Sequence, residues 1–142
     1  MAWIYSVSVE CGDDESAARA CAEHLSLPEV EVDAQQSSED GAWWAVAVPE
    51  VPESAAARTA AGLRLFERLR QTPPPFRFAL AGVEAFEAIS LDLLDADLGA
   101  NPTFAERYHG LVVSDEIRER LGSPAGLEPF APGYSWFPYR GE

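Results

Sequence analysis

The stretch that decides the fold is Trp3-Ile-Tyr-Ser-Val-Ser-Val9, near the start of the chain. Trp3, Tyr5, Val7 and Val9 would lie on one face of an extended chain, and Ile4, Ser6 and Ser8 on the other. This two-residue period is typical of a half-buried β-strand. Three acids follow at residues 13–15, and residues 15–25 then carry apolar side chains at helical spacing. The chain therefore opens with a predicted strand followed by a predicted helix.

A similar pattern continues downstream. Valines alternate with acids over residues 29–33, which predicts an edge strand with its acids in solvent, and residues 43–48 are apolar on both faces, which predicts a more central strand. Residues 53–70 predict the clearest helix, in which Gly62 would allow a close approach to a sheet. Residues 76–81 predict a fourth strand.

This order, strand-helix-strand-strand-helix-strand, predicts an α+β fold with a ferredoxin-like split βαβ sandwich over residues 1–82. The 142 residues suit one domain, so residues 83–142 are interpreted as an irregular extension of it. Within the extension we expect a short helix at 115–121, capped by Ser114, and an aromatic tail.

The extension also has a predicted place. One face of a ferredoxin-like sheet carries no helices, because both crossovers lie on the other face. We expect residues 104–139 to cover that open face and to meet Ile4 and either Trp43 or Trp44.

The charge balance is strongly acidic. The chain has 24 Asp and Glu against 10 basic residues, all arginine, for a net charge of −14. This argues against nucleic acid and against an anionic membrane surface as partners. Because the chain has neither a long apolar run nor the pattern of a secretory signal, we expect a cytoplasmic protein. Residues 58–77 form a basic band of net charge +4, either an anion site or a means of balancing nearby acids.

Soft metal ligands are few. Cys11, Cys21, His24 and His109 are the only ones, and no paired spacing joins them, so we expect neither a metal nor a cofactor. Two cysteines suit a reducing compartment. A disulfide between the end of the first strand and the first helix is possible but not needed.

Catalytic patterns are weak. Ser114 precedes an aspartate and lies five residues after His109, but no nucleophile elbow or phosphate-binding loop is present. A carboxylate pair could serve a hydrolase, yet among so many acids some pair falls at a suitable distance by chance. We therefore expect a protein that is not an enzyme.

A partner-binding surface is the more informative hypothesis. Acids crowd residues 84–97, and more lie at 10–15. Such a surface around exposed aromatic anchors would hold a basic partner. Trp136 is expected in the core. The candidate binding residues are Glu84, Glu87, Asp92, Asp95, Asp97, Tyr134 and Tyr139.

The chain resembles the immunity proteins of bacterial polymorphic toxin systems. The features are a small acidic domain, the tail Gly133-Tyr-Ser-Trp-Phe-Pro-Tyr-Arg-Gly-Glu142, the segment Phe76-Arg-Phe-Ala-Leu-Ala-Gly-Val-Glu84 and the segment Tyr108-His-Gly-Leu-Val-Val-Ser114. The resemblance implies a cytoplasmic inhibitor that binds a cognate, basic toxin domain and covers its active site, as a monomer or weak homodimer. The alternative is a regulatory domain without catalysis that binds a small molecule or an anion, through Arg77 and Arg140.

Overall fold

The computed structural model describes residues 4–51, 54–83, 89–100 and 102–142. They form seven strands: β1 (Tyr5–Glu10), β2 (Val30–Gln36), β3 (Trp43–Pro49), β4 (Phe78–Val83), β5 (Val112–Ser114), β6 (Glu128–Ala131) and β7 (Tyr134–Trp136). The helices are α1 (Glu15–His24), α2 (Ala55–Arg70), α3 (Leu91–Ala100), α4 (Phe104–Arg107) and α5 (Asp115–Arg120). The chain is therefore α+β, as the sequence predicts.

One open antiparallel sheet contains all seven strands, in the order β2-β3-β1-β4-β5-β7-β6. β2 lies at one edge, with Glu31 and Asp33 exposed, and β3 lies inside, so both of these predictions are confirmed. An acidic edge of this kind discourages pairing with other acidic chains.

Local signals set the starts of three helices. Asp14 accepts a hydrogen bond from the Ala17 amide (2.9 Å) at the start of α1. Ser54 caps α2 in the same way, and Ser114 accepts from the Ile117 amide (3.3 Å) at the start of α5, as predicted. Each side-chain oxygen satisfies an amide that has no partner within its helix.

Apolar cores lie on both faces of the sheet. On one face, Val7 and Val9 of β1 pack against α1 and α2. There the predicted close approach at Gly62 is confirmed, because a Cβ at this position would collide with the Tyr5 hydroxyl. The other face carries Trp44 and Phe78, which α3, α4 and α5 cover.

The extension is more regular than predicted. Three of its strands lengthen the sheet beside β4, so it is not merely an irregular covering. Phe104 and Ile117 pack on the Trp44 face as expected, but Phe130 packs on the opposite face. The expected contact with Ile4 is wrong, since Ile4 is 53% exposed. With three residues each, β5 and β7 are too short for an alternating pattern to predict how they pair in the sheet.

Candidate functional site

A cleft of about 540 Å³ opens where five segments of the fold meet. Its walls come from the β1–α1 turn, the β2–β3 turn, Arg77 just before β4, the start of α3, and α5. Its volume is in the range of small-molecule sites. The charged residues that line it are Asp13, Asp40, Asp92, Glu116, Arg77 and Arg120.

A buried ion pair stands in the wall of this cleft. Glu10, the last residue of β1, is fully buried, and its carboxylate accepts hydrogen bonds from Arg77 Nε (2.8 Å) and Nη2 (2.5 Å). The Gly12 amide also donates to it, over 2.6 Å. The Arg77 side chain is 34% exposed. The pair therefore joins the core of the sheet to the surface of the cleft.

The backbone fixes Arg77 in place. Its amide donates to the Glu10 carbonyl (2.8 Å), and its carbonyl accepts from the Ser114 amide (2.8 Å). Gly12 has a positive φ of 66°, a conformation that glycine adopts without strain, and its amide can thereby reach the Glu10 carboxylate. The guanidinium is consequently held at a defined position before any partner arrives.

The cleft has more negative than positive charge. The Glu10 hydrogen bonds raise the pKa of Arg77, and the nearby charges of Glu10, Glu116 and Asp40 raise it further, so the guanidinium stays protonated. Arg120 lies 3.7 Å from an Asp92 oxygen and 3.3 Å from an Asp95 oxygen. In the part of the chain that the structure describes, three lining acids form no ion pair: Asp13, Asp40 and Glu116.

The predicted acids divide into three groups. Asp92 lines the cleft with a 96% exposed side chain, and Asp95 stands one turn further along α3. Asp97 instead accepts a hydrogen bond from the Tyr108 hydroxyl and is mostly covered, so it is a structural acid. Burial, followed by the contact with Asp97, raises the pKa of Tyr108 to about 12. Glu84 and Glu87 lie outside the described residues.

The two predicted aromatic anchors differ in exposure. Tyr139 is buried, and its hydroxyl is 2.9 Å from the hydroxyl of Tyr5. Tyr134 is half-buried, stacks on Phe76 with 4.3 Å between ring centroids, and accepts a hydrogen bond from the Phe76 amide. The expectation of an exposed anchor is therefore wrong for Tyr139, while Tyr134 keeps part of its surface in solvent. The tail packs against the fold because burying its aromatic rings removes a large apolar area from water, which is favourable.

Sequence reasoning did not predict the central ion pair. Acids from residues 10–15 and 84–97 do meet at the cleft, as Asp13 and Asp92. Glu10 and Arg77 are 67 residues apart; Arg77 was considered only as an anion-binding residue, and the two were not expected to pair. Glu10 does continue the polar face of β1 after two serines, which was the available signal.

The basic band does not act as a unit. Arg68 Nε donates to the His24 carbonyl (2.8 Å), which ties α2 to α1. Arg70 pairs with Glu67 and lies 4.7 Å from the centre of the Phe130 ring. With Arg77 paired to Glu10, these contacts favour the charge-balancing interpretation of residues 58–77.

The remaining candidate residues have structural contacts. His24 Nε2 is 2.8 Å from the Arg68 carbonyl oxygen, and His109 Nδ1 accepts from the Arg140 amide (3.1 Å). Within residues 4–51, 54–83, 89–100 and 102–142, no group of three or more His, Cys, Asp or Glu is arranged to hold a metal ion. Arg140 is not among the cleft residues, so the expected pairing of Arg77 with Arg140 is not seen there.

Comparison of the chain with protein-family models, with curated proteins and with solved structures gave no match. None of the helices in the described ranges has the length and apolar composition needed to cross a lipid bilayer.

Proposed function

We propose that this chain binds a basic protein domain through the acidic cleft, as an immunity protein binds its toxin. The observation that carries the proposal is that three carboxylates from separate segments converge on one opening: Asp13, Asp40 and Glu116. Among the residues that the structure describes, none of the three forms an ion pair. Like charges brought together destabilise a free protein, and a cationic partner relieves that repulsion. Complementary charge also speeds encounter and rejects acidic competitors.

An exposed apolar side chain follows one of the cleft acids in the sequence. Leu93 is 39% exposed, and it comes directly after Asp92, which lines the cleft. Apolar anchors surrounded by polar rims supply much of the affinity at protein interfaces. We propose Leu93 as such an anchor at the margin of the binding surface.

The cleft is also preorganised. Glu10 and Arg77 are held by three side-chain hydrogen bonds and by the backbone on both sides of Arg77. A wall that is already ordered loses little conformational entropy when a partner binds. This arrangement suits an inhibitor that must bind tightly with its charges in fixed positions.

Co-expression tests the function directly. The product of the adjacent reading frame is expressed in bacteria alone, with this chain, and with the Asp13→Lys/Glu116→Lys variant. We expect the product alone to stop growth, the wild-type chain to restore it, and the variant to restore it less. A harmless product, or toxicity that the wild-type chain does not relieve, contradicts the proposal.

The second candidate is a small-molecule or anion-binding regulatory domain. The volume of the cleft and the two arginines in its wall favour it, whereas the four acids oppose an anion. A rise in melting temperature with inorganic phosphate or acetate would support this candidate over the first. We expect no rise with either anion.

The arrangement of the first four strands and first two helices is also part of the proposal. We infer that residues 5–83 form a ferredoxin-like split βαβ unit, which the order β2-β3-β1-β4 and the packing of α1 and α2 on one face support.

We further propose a cytoplasmic protein that acts as a monomer or weak homodimer. Sedimentation at several protein concentrations tests the stoichiometry.

A further inference from the structure

We propose that Cys11 and Cys21 form a dithiol site that is converted reversibly to an intramolecular disulfide. The two residues belong to different parts of the fold. Cys11 directly follows β1, and Cys21 lies in α1 on the face that packs against β1 and β3. Both are free and buried. Their sulfur atoms are nevertheless 3.9 Å apart, which is van der Waals contact.

Closing the bond requires a local movement. A disulfide holds its sulfurs about 2.05 Å apart, so the two atoms must approach by roughly 1.9 Å. Cys11 lies between β1 and α1, and its amide donates a hydrogen bond to the Trp43 carbonyl (2.8 Å). The approach therefore combines rotation of the two side chains with a shift of this connection.

The surroundings favour reaction between the two sulfurs over reaction with other groups. Cys11 Sγ is 3.9 Å from the Val9 carbonyl oxygen, and Cys21 Sγ is 3.8 Å from the Pro74 carbonyl oxygen. These oxygens are not nucleophilic toward sulfur. The contact with Cys21, and then burial, raises the pKa of Cys11, so its thiol stays protonated in the reduced protein.

Hydrogen peroxide is the two-electron oxidant that we propose for forming the disulfide. Cys11 is 6% exposed and Cys21 is fully buried, so peroxide reaches Cys11 first. The Cys11 sulfur attacks one peroxide oxygen as the thiol gives up its proton, the O–O bond breaks, and a sulfenic acid and water form. The Cys21 sulfur then attacks the Cys11 sulfur as its own thiol gives up its proton, the S–O bond breaks, and a second water leaves. In total, two thiols and one peroxide give one disulfide and two waters.

Cys11 also lines the cleft, but the dithiol site predicts a stabilisation that can be measured without the proposed partner. Closing so short a loop lowers the entropy of the unfolded chain, and the unfolding equilibrium constant falls by roughly 100-fold in the loop-entropy model. Oxidised protein should therefore melt at a higher temperature than reduced protein. A reductant should reverse the change.

The experiment is mass spectrometry of the folded chain before and after peroxide. Arg19 is the one tryptic site between the two cysteines, so the disulfide keeps peptides 1–19 and 20–58 together until reduction. We expect the intact protein to lose two hydrogens, both free thiols to disappear, and the joined peptides to separate in dithiothreitol. The sulfur of Cys11 should be recovered as a thiol, without added oxygen.

Two variants serve as controls, so that a folding defect in one does not end the test. Cys21→Ala and Cys11→Ser each leave one thiol, and neither should gain the stabilisation on oxidation. Both thiols unchanged in wild-type protein, irreversible oxygen addition, or a disulfide between chains would overturn the proposal. An oxidised form that melts below the reduced form would overturn the expected stabilisation and show strain instead.

Discussion

Replacing Glu10 by Gln tests whether the buried ion pair organises the cleft. Glu10→Gln keeps the size of the side chain but removes the charge that Arg77 faces. One amide oxygen remains to accept from the Gly12 amide, while the two charge-assisted bonds from Arg77 at 2.8 and 2.5 Å are weakened or lost. The variant should therefore be less stable, with Arg77 less firmly held.

The magnitude follows from the exposure of the two partners. Breaking a fully buried ion pair costs about 3–5 kcal/mol. Arg77 is 34% exposed and can turn toward the cleft, so the loss should fall at the lower end, about 3 kcal/mol. For a domain of this size, that corresponds to a fall in melting temperature of roughly 10 °C. Arg77→Met should cost more, because it leaves the fully buried carboxylate without a cation.

Urea unfolding followed by tryptophan fluorescence measures the effect, since Trp44 is buried directly opposite Glu10 in β3. The matched control is Glu31→Gln, the same chemical change on the exposed edge strand β2. The control should alter the free energy of unfolding by less than about 0.5 kcal/mol. If Glu10→Gln costs no more than Glu31→Gln, the ion pair does not stabilise the fold and the reasoning fails.

Further predictions concern the tail and two glycines. Burial raises the pKa of all four tyrosines, so absorbance at 295 nm should show little tyrosinate at pH 10. Absorbance equal to one fully ionised tyrosine per chain at that pH would mean that one ring is exposed. Because the folded state retains these protons when the unfolded state loses them, stability should fall as pH rises above about 10, which urea unfolding across that range measures. Gly62→Ala should destabilise by about 2 kcal/mol or more, because the new methyl group meets the Tyr5 hydroxyl. Gly99→Ala, with open space around it in α3, should instead stabilise by about 0.5–1 kcal/mol. If Gly62→Ala and Gly99→Ala have the same effect on thermal unfolding, the close packing around Gly62 is contradicted.

Much of the fold was predictable where one period dominates the sequence. The alternation over residues 3–9 predicts a strand and the spacing over residues 53–70 predicts a helix, and β1 and α2 are found there. The expectation that this strand is half-buried is wrong, because all six residues of β1 are buried. The strands β5 and β7 have three residues each, too few for an alternation to be distinguished from chance. Their pairing depends on contacts between distant parts of the chain, which local pattern does not encode.

The candidate site was predictable only in its chemistry. The surplus of acids indicated a cationic partner, and Asp13 and Asp92 do face the same opening. The tail was misjudged because aromatic residues serve as interface anchors and as core residues alike, and composition cannot separate these roles. Glu10 and Arg77 are brought together by the antiparallel pairing of β1 with β4, in which Glu10 lies opposite Phe78, so their contact emerges only from the folded chain.

Association kinetics with the product of the adjacent reading frame test the central claim most directly. The Asp13→Lys/Glu116→Lys variant is compared with Glu31→Lys/Asp33→Lys, which makes the same change in net charge on β2, away from the cleft. We predict association about tenfold slower for the cleft variant at low salt, a smaller difference at high salt, and a nearly normal rate for the β2 variant. Equal slowing by both variants, or no slowing by the cleft variant, would show that the partner does not bind at the cleft.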